Sequence, residues 1–353
     1  SLDPSPIPQA DPRHEDDVAA VRQRDHQLHP WSWHAGSYFL GGEAMQIKII
    51  EVGPRDGLQS EKSFISTARK VQLIDALFGA GIRAVEATSF VSPSAEPQMA
   101  DAADVLRQIS RPDGSVVSVL APNVRGARDA IQAGADQLVA FVSASTTHNK
   151  KNLNRSVVDS LLNIEAVAEL ASQTGTPLRA AISTVFGCPF EGDVDVSAVV
   201  GIVRTLRRIG IRQVTLADTT GMATPAVVRA VCGGVRNAVP EVCLSLHFHN
   251  TRGLGLVNVA AGLELDIDAY ESSIGGVGGC PFAPGATGNV CTEDLVHYLH
   301  EEGHSTGIDL DSLVRAAWLL EETLGRPLPG QVMRAGKRLQ LHDAEAAPAA
   351  TAR

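Results

Sequence analysis

The chain has 353 residues, a formal net charge of -10, a pI near 5.5, 44% hydrophobic and 20% charged residues. That is enough material for one large α/β barrel or two average domains, and the acidic balance without a Lys/Arg stripe excludes a nucleic-acid partner. No apolar run reaches the roughly 18–20 residues of a membrane helix, which excludes a spanning segment, and five scattered cysteines without a CxxC exclude a disulfide framework or structural zinc site.

Residues 1–44 mix Pro, Asp, Arg and His without a helical or strand period and read as a poorly ordered extension carrying Trp31 and Trp33. No basic region is followed by an apolar one there, so no secretory signal is expected; a reducing, cytoplasmic setting is the simpler reading. Residues 45–341 are expected to form the folded domain, and the Ala-rich 342–353 a flexible tail.

In chain order, apolar or β-branched runs occur at 47–52 (IKIIEV), 84–88 (AVEAT), 115–121 (SVVSVLA), 137–143 (QLVAFVS), 178–185 (LRAAISTV), 213–218 (QVTLAD), 243–249 (CLSLHFH) and 269–274 (AYESSI). Between them lie stretches with three- and four-residue apolar spacing, such as TARKVQLIDALFGAG and VSAVVGIVRTLRRIG, expected to be amphipathic helices. Gly81, Gly134 and Gly210 stand where helices should stop before a strand. Eight strand–helix units predict a (β/α)8 TIM barrel with a short C-terminal helical extension. A doubly wound sheet is the alternative, but GPRDGLQ after the first strand is not the Gly-rich phosphate fingerprint it requires.

A barrel places its chemistry at the C-terminal ends of its strands. There the first strand gives Arg55 and Asp56, the second Glu86, the sixth Asp218, and the seventh His247 and His249. As an exposed pair on a turn, Arg55 and Asp56 would contribute about 0–1 kcal/mol and need no companions. Histidines two apart on a strand share a face. With Asp56 they form a candidate nitrogen and oxygen donor set for Mg²⁺ or Mn²⁺, more than for Zn²⁺; the plainer reading is a pair of hydrogen-bonded core histidines. After the eighth strand, GGVGGCPFAPGATGN (275–289) has the composition of a lid loop, with Cys280 as a candidate acid–base group. His148, Lys150 and Lys151 in THNKKN read as a solvated face, with cations available to a phosphate.

EVGPRDGLQSEK, VEATSFVSP, DTTGMATP, HFHN and GGVGGCPFAPGATGNVCTEDLV, in this order, resemble the hydroxymethylglutaryl-CoA lyase family, a metal-dependent barrel family related to isopropylmalate and homocitrate synthases. The resemblance spans about residues 46–335 and implies Asp56, His247, His249 and Asn289 as metal ligands. It implies Arg55 as the cation on a thioester carbonyl, Cys280 as the lid cysteine, Glu86 and Asp218 as acidic groups of the site, and Lys62 near coenzyme A. Asp218 or His247 is the expected base, with Cys280 as the acid. The implied partner is an acyl-CoA, the implied assembly a homodimer. Two departures bear on the acyl group: Asn250-Thr251-Arg252 stands where the family often has Asp-Thr-Tyr, and Thr146 stands near where many members carry Glu. Another branched 3-hydroxyacyl-CoA, such as citramalyl-CoA, is therefore the alternative substrate, and a non-catalytic CoA- or metal-binding barrel the alternative from a different class.

Overall fold

The computed structural model describes residues 44–279 and 288–341. Eight strands run in order β1 (Lys48–Glu51), β2 (Ala84–Ser89), β3 (Val116–Leu120), β4 (Gln137–Ser143), β5 (Leu178–Ser183), β6 (Gln213–Asp218), β7 (Cys243–Phe248) and β8 (Ala269–Ser272). All neighbours are parallel, and β1 pairs with both β2 and β8, so the sheet closes. Each expected strand is present. The doubly wound alternative is overturned, because an open sheet would leave β1 and β8 as edges.

The helices return the chain outside the barrel: α1 (Thr67–Gly79), α2 (Ala102–Gln108), α3 (Val124–Gln132), α4 (Thr146–Leu153), α5 (Val157–Thr174), α6 (Val196–Arg208), α7 (Pro225–Ala238), α8 (Gly255–Leu263) and α9 (Thr292–Glu301). The C-terminal extension adds α10 (Leu310–Leu324) and α11 (Val332–Ala335). Their starts are set by capping side chains, as when Asn123 Oδ1 accepts from Gly126 N at 3.0 Å at the head of α3. The expected stop glycines, Gly81, Gly134 and Gly210, all take positive φ. The main core lies between strands and helices and draws on every strand but β8's outer residues, with Ile49, Val85, Val119, Leu138, Ile182, Leu216 and Leu246 buried in it.

Inside the barrel, the filling beneath and around the mouth is polar. Glu86, Ser118, Arg179, Thr215, Ser245, His247 and Glu271 are all buried there, where branched aliphatics usually fill the space. The β2–β3 register shifts between Glu86 and Thr88, a bulge beside the first of these groups.

Candidate metal and active site

After β1 the chain makes a wide turn, Gly53–Gly57, in which the N–H groups of Asp56 and Gly57 both return to Val52 O. Such turns recur at functional sites. This one presents Arg55 and Asp56 side by side at the barrel mouth. Arg55 Nη1 lies 2.8 Å from Asp56 Oδ1, so the two are ion-pair partners. Arg55 also donates through Nε and Nη2 to Glu86, and Asp56 Oδ2 accepts from Asn289 Nδ2 at 2.8 Å.

Asp56, His247 and His249 bring one donor atom each within 4.8 Å of the others. The two imidazoles share a face as expected, their ring centroids 5.1 Å apart. Asn289 reaches them because residues 288–290 pair with the end of β7: Asn250 N donates to Gly288 O at 2.9 Å and Val290 N to Phe248 O at 3.0 Å. His249 Nδ1 and Asn289 Oδ1 are buried without a partner among the described residues. Two orphaned lone pairs beside a carboxylate fit a divalent cation, because a buried acceptor left unsatisfied is otherwise costly.

The electrostatics agree. Burial pushes the Asp56 carboxyl up, but Arg55, with His247 and His249, outweighs it and holds the group at about 2. Burial, then the neighbouring His247, depresses His249 to about 3, and burial also lowers His247. An ionised carboxylate and two neutral imidazoles are the ligand forms metal binding requires.

The cavity over this cluster is lined by Arg55, Asp56, His247, His249, Glu271 and His148 among others. His148 is buried on α4, with Nδ1 3.0 Å from Ser143 Oγ, while Lys150 and Lys151 are exposed. The solvated-face reading of THNKKN is thus corrected at His148, because α4 turns that position onto the cavity.

Other expected residues are placed differently. Glu86 does not line the cavity; it lies beneath, bonded to Arg55 and Arg179. Asp218 is buried at the end of β6, where Oδ1 accepts from Met222 N at 2.7 Å and Ala223 N at 3.1 Å. Its neighbours Ala217 and Thr219 line the cavity and it does not. Burial outweighs those N–H groups and raises its carboxyl to about 6. Lys62 is exposed on a separate groove, with Arg69 and Arg326. Cys280 lies outside the described residues, and the four described cysteines are free thiols.

The two departures are absorbed locally. Arg252 spends Nη1 on Thr220 O at 3.0 Å and Gly221 O at 2.7 Å, tying two rim loops together. At the start of α4, Glu191 Oε1 accepts from Thr147 N at 2.6 Å, so that turn has a carboxylate although residue 146 is Thr. Sequence reasoning missed Arg179 and Glu271. Their signal was a charge within an apolar strand, in LRAAIS and AYES.

A family profile described as HMGL-like matches residues 46–320. The chain is 44% identical over 294 residues to the mitochondrial hydroxymethylglutaryl-CoA lyase of Arabidopsis thaliana, covering 83% of this chain and 63% of that one. It is 41% identical to a hydroxymethylglutaryl-CoA lyase of Bacillus subtilis, covering 83% of this chain and 98% of that one. Among solved structures, an HMG-CoA lyase of Acinetobacter baumannii in complex with coenzyme A and 3-methylmalate superposes with a TM-score of 0.81 at 42% identity, over 84% of this chain and 97% of the other.

Proposed function

The chain belongs to the HMGL-like family, and from that premise we propose that it is a divalent-metal-dependent lyase cleaving 3-hydroxy-3-methylglutaryl-CoA to acetyl-CoA and acetoacetate. The observation that carries the metal part is the convergence of Asp56, His247 and His249 at the mouth, beside the orphaned Oδ1 of Asn289. These four residues would hold Mg²⁺ or Mn²⁺, which supplies Lewis-acid activation of a bound hydroxyl.

The protein's own groups account for the rest. Cleavage removes the proton of the C3 hydroxyl, breaks the C2–C3 bond, passes the electron pair to a thioester enolate and reprotonates C2. Arg55 is the fixed cation at which enolate charge develops, preorganised by Glu86 and Asp56. The candidate bases are His247, which lines the cavity and is engaged at Nδ1 by Glu271, and Asp218, whose carboxyl, raised to about 6, lies between the cavity-lining Ala217 and Thr219. Cys280 is the proposed acid for C2. Glu86 acts through Arg55 and does not touch substrate. Lys62 and Arg69 on their outer groove suit the phosphates of coenzyme A. We propose a cytoplasmic homodimer; among the described residues no helix is long and apolar enough to cross a membrane.

The test is direct. Purified protein with Mg²⁺ or Mn²⁺ forms acetoacetate and acetyl-CoA in equal amounts from 3-hydroxy-3-methylglutaryl-CoA, and chelation stops it. Cleavage of citramalyl-CoA but not of this substrate would move the assignment to the sibling reaction, and turnover of neither would leave a binding protein.

A further inference from the structure

We propose that Arg179 is a positioning residue that locks the candidate catalytic cation Arg55 and the candidate metal ligand His247 into one unit, through Glu86 and Glu271. The inference rests on the functional reading above for the roles of Arg55 and His247.

Arg179 is the second residue of β5, and its side chain is 2% exposed. Its guanidinium spans the barrel interior between two carboxylates from distant strands. Nη2 donates to Glu86 Oε2 of β2 at 2.8 Å, and Nη1 donates to Glu271 Oε1 of β8. Each carboxylate then uses its other oxygen on a residue of the site. Glu86 Oε1 accepts from Arg55, and Glu271 Oε2 lies 2.9 Å from His247 Nδ1. Thr215 fixes the centre, its hydroxyl 3.0 Å from Arg179 Nη1 and 2.8 Å from Glu271 Oε1, with Ser245 Oγ 2.7 Å away.

The result is an unbroken chain: Arg55, Glu86, Arg179, Glu271, His247. Arg55 lies in the turn after β1 and His247 in β7, and the two are not hydrogen-bonded to each other, yet each is oriented by a carboxylate that Arg179 holds. Glu271 accepting from Nδ1–H selects the His247 tautomer whose Nε2 lone pair is available to a cation. Glu86 held in place fixes the plane of the Arg55 guanidinium. A charge network in a barrel interior is not an efficient stabiliser, since well-packed hydrophobic residues often match or exceed it. Its geometry therefore points to orientation. The planar arginine fork directs separate Nη groups to the two carboxylates; a lysine offers one compact point charge in place of that fixed spacing.

The experiment compares Arg179→Lys, Arg179→Met and Glu271→Gln in the full chain. Fold is checked by circular dichroism, Mn²⁺ dissociation constant without substrate by electron paramagnetic resonance, and kcat and KM separately. Glu271→Gln, which keeps shape, is expected to weaken Mn²⁺ binding about 10–100-fold. Arg179→Lys is expected to fold, lose at least about tenfold in kcat and in Mn²⁺ affinity, and keep KM within threefold, because displacement of a reacting group by about 1 Å costs about 10²-fold in rate. A folded Arg179→Lys or Arg179→Met with wild-type kcat and Mn²⁺ affinity overturns the inference. If neither Arg179 variant folds, an unchanged Mn²⁺ affinity in Glu271→Gln does so. Failure of the wild-type protein to cleave 3-hydroxy-3-methylglutaryl-CoA while binding Mn²⁺ sinks the functional reading and leaves the metal comparison intact.

Discussion

Arg55 Nη1 lies 2.8 Å from Oδ1 of Asp56, its neighbour in sequence, while the other oxygen of that carboxylate is held by Asn289. One side chain thus ties the proposed cation to the proposed metal ligand. Both are half-buried, so the pair is shielded from the solvent that makes exposed pairs weak. The cation also does something to the carboxylate: Arg55 is the largest influence opposing burial in holding Asp56 at about 2.

Replacing Arg55 by Gln separates those two effects. Loss of a preorganised cation where charge develops is expected to lower kcat about 10²–10³-fold. Without Arg55 the Asp56 carboxyl rises toward its ordinary value but remains ionised at pH 7, so Mn²⁺ affinity should fall less than about tenfold. Parallel measurement of kcat and Mn²⁺ binding decides it, and a metal loss as large as the rate loss would reassign Arg55 to the metal site.

The donor set itself is tested by thermal shift. A cation that binds only the folded state stabilises it by about 2.7 kcal/mol at a hundred times its dissociation constant. The wild-type protein should therefore melt higher with saturating Mg²⁺ or Mn²⁺ than with a chelator. In Asp56→Asn and His249→Ala the increment should shrink or vanish. An undiminished increment in Asp56→Asn would place the cation elsewhere.

Much of this was legible in the residues, and the unread part has a common cause. The barrel followed from strand and helix periods, and the shared face of His247 and His249 from the two-residue repeat of a strand. What escaped were relations that exist only once the sheet closes. Glu86 and Arg179 are 93 residues apart and meet because β2 and β5 face one another across the interior. Without that closure Glu86 reads as a rim acid, since its strand position suits either. Asp218 was placed at the right strand end, but the turn that follows claims its Oδ1 with two N–H groups. Periodicity says nothing of such capture.

Two buried acids below the rim predict a pH dependence of stability. Glu51 Oε1 accepts from Gly53 N at 2.7 Å and Ile274 N at 2.9 Å, its Oε2 accepts from Thr292 Oγ1 at 2.6 Å, and Glu293 Oε2 accepts from Gly275 N at 3.0 Å. Burial, only partly offset by these donors, raises both from 4.5 to about 7. The folded state therefore holds protons that the unfolded chain has released, and each group's contribution is lost as pH rises from about 4.5 through about 7. Per group that gap corresponds to about 3 kcal/mol at most. Glu51→Gln should gain in melting temperature relative to wild type as pH goes from 5 to 8. A pH-independent difference between the two melting curves would refute the shift.

Gly288 is where backbone geometry bears most directly on the ligand set. It has φ +99°, and a Cβ there would sit 2.2 Å from Gly276 O and 2.6 Å from Gly278 O, both backbone atoms. Its own carbonyl accepts from Asn250 N, the contact that seats residues 288–290 against β7. Gly288→Ala should therefore displace Asn289, weakening Mn²⁺ binding at least about tenfold by analogy with the loss of an orienting partner. Backbone strain alone is worth about 1–3 kcal/mol, and a control isolates it. Gly114, at φ +75°, has nothing within 4 Å of its added Cβ. Gly114→Ala should lower the melting temperature while binding Mn²⁺ as the wild type does. If both variants bound Mn²⁺ normally, the 288–290 segment would not be what delivers Asn289 to the metal.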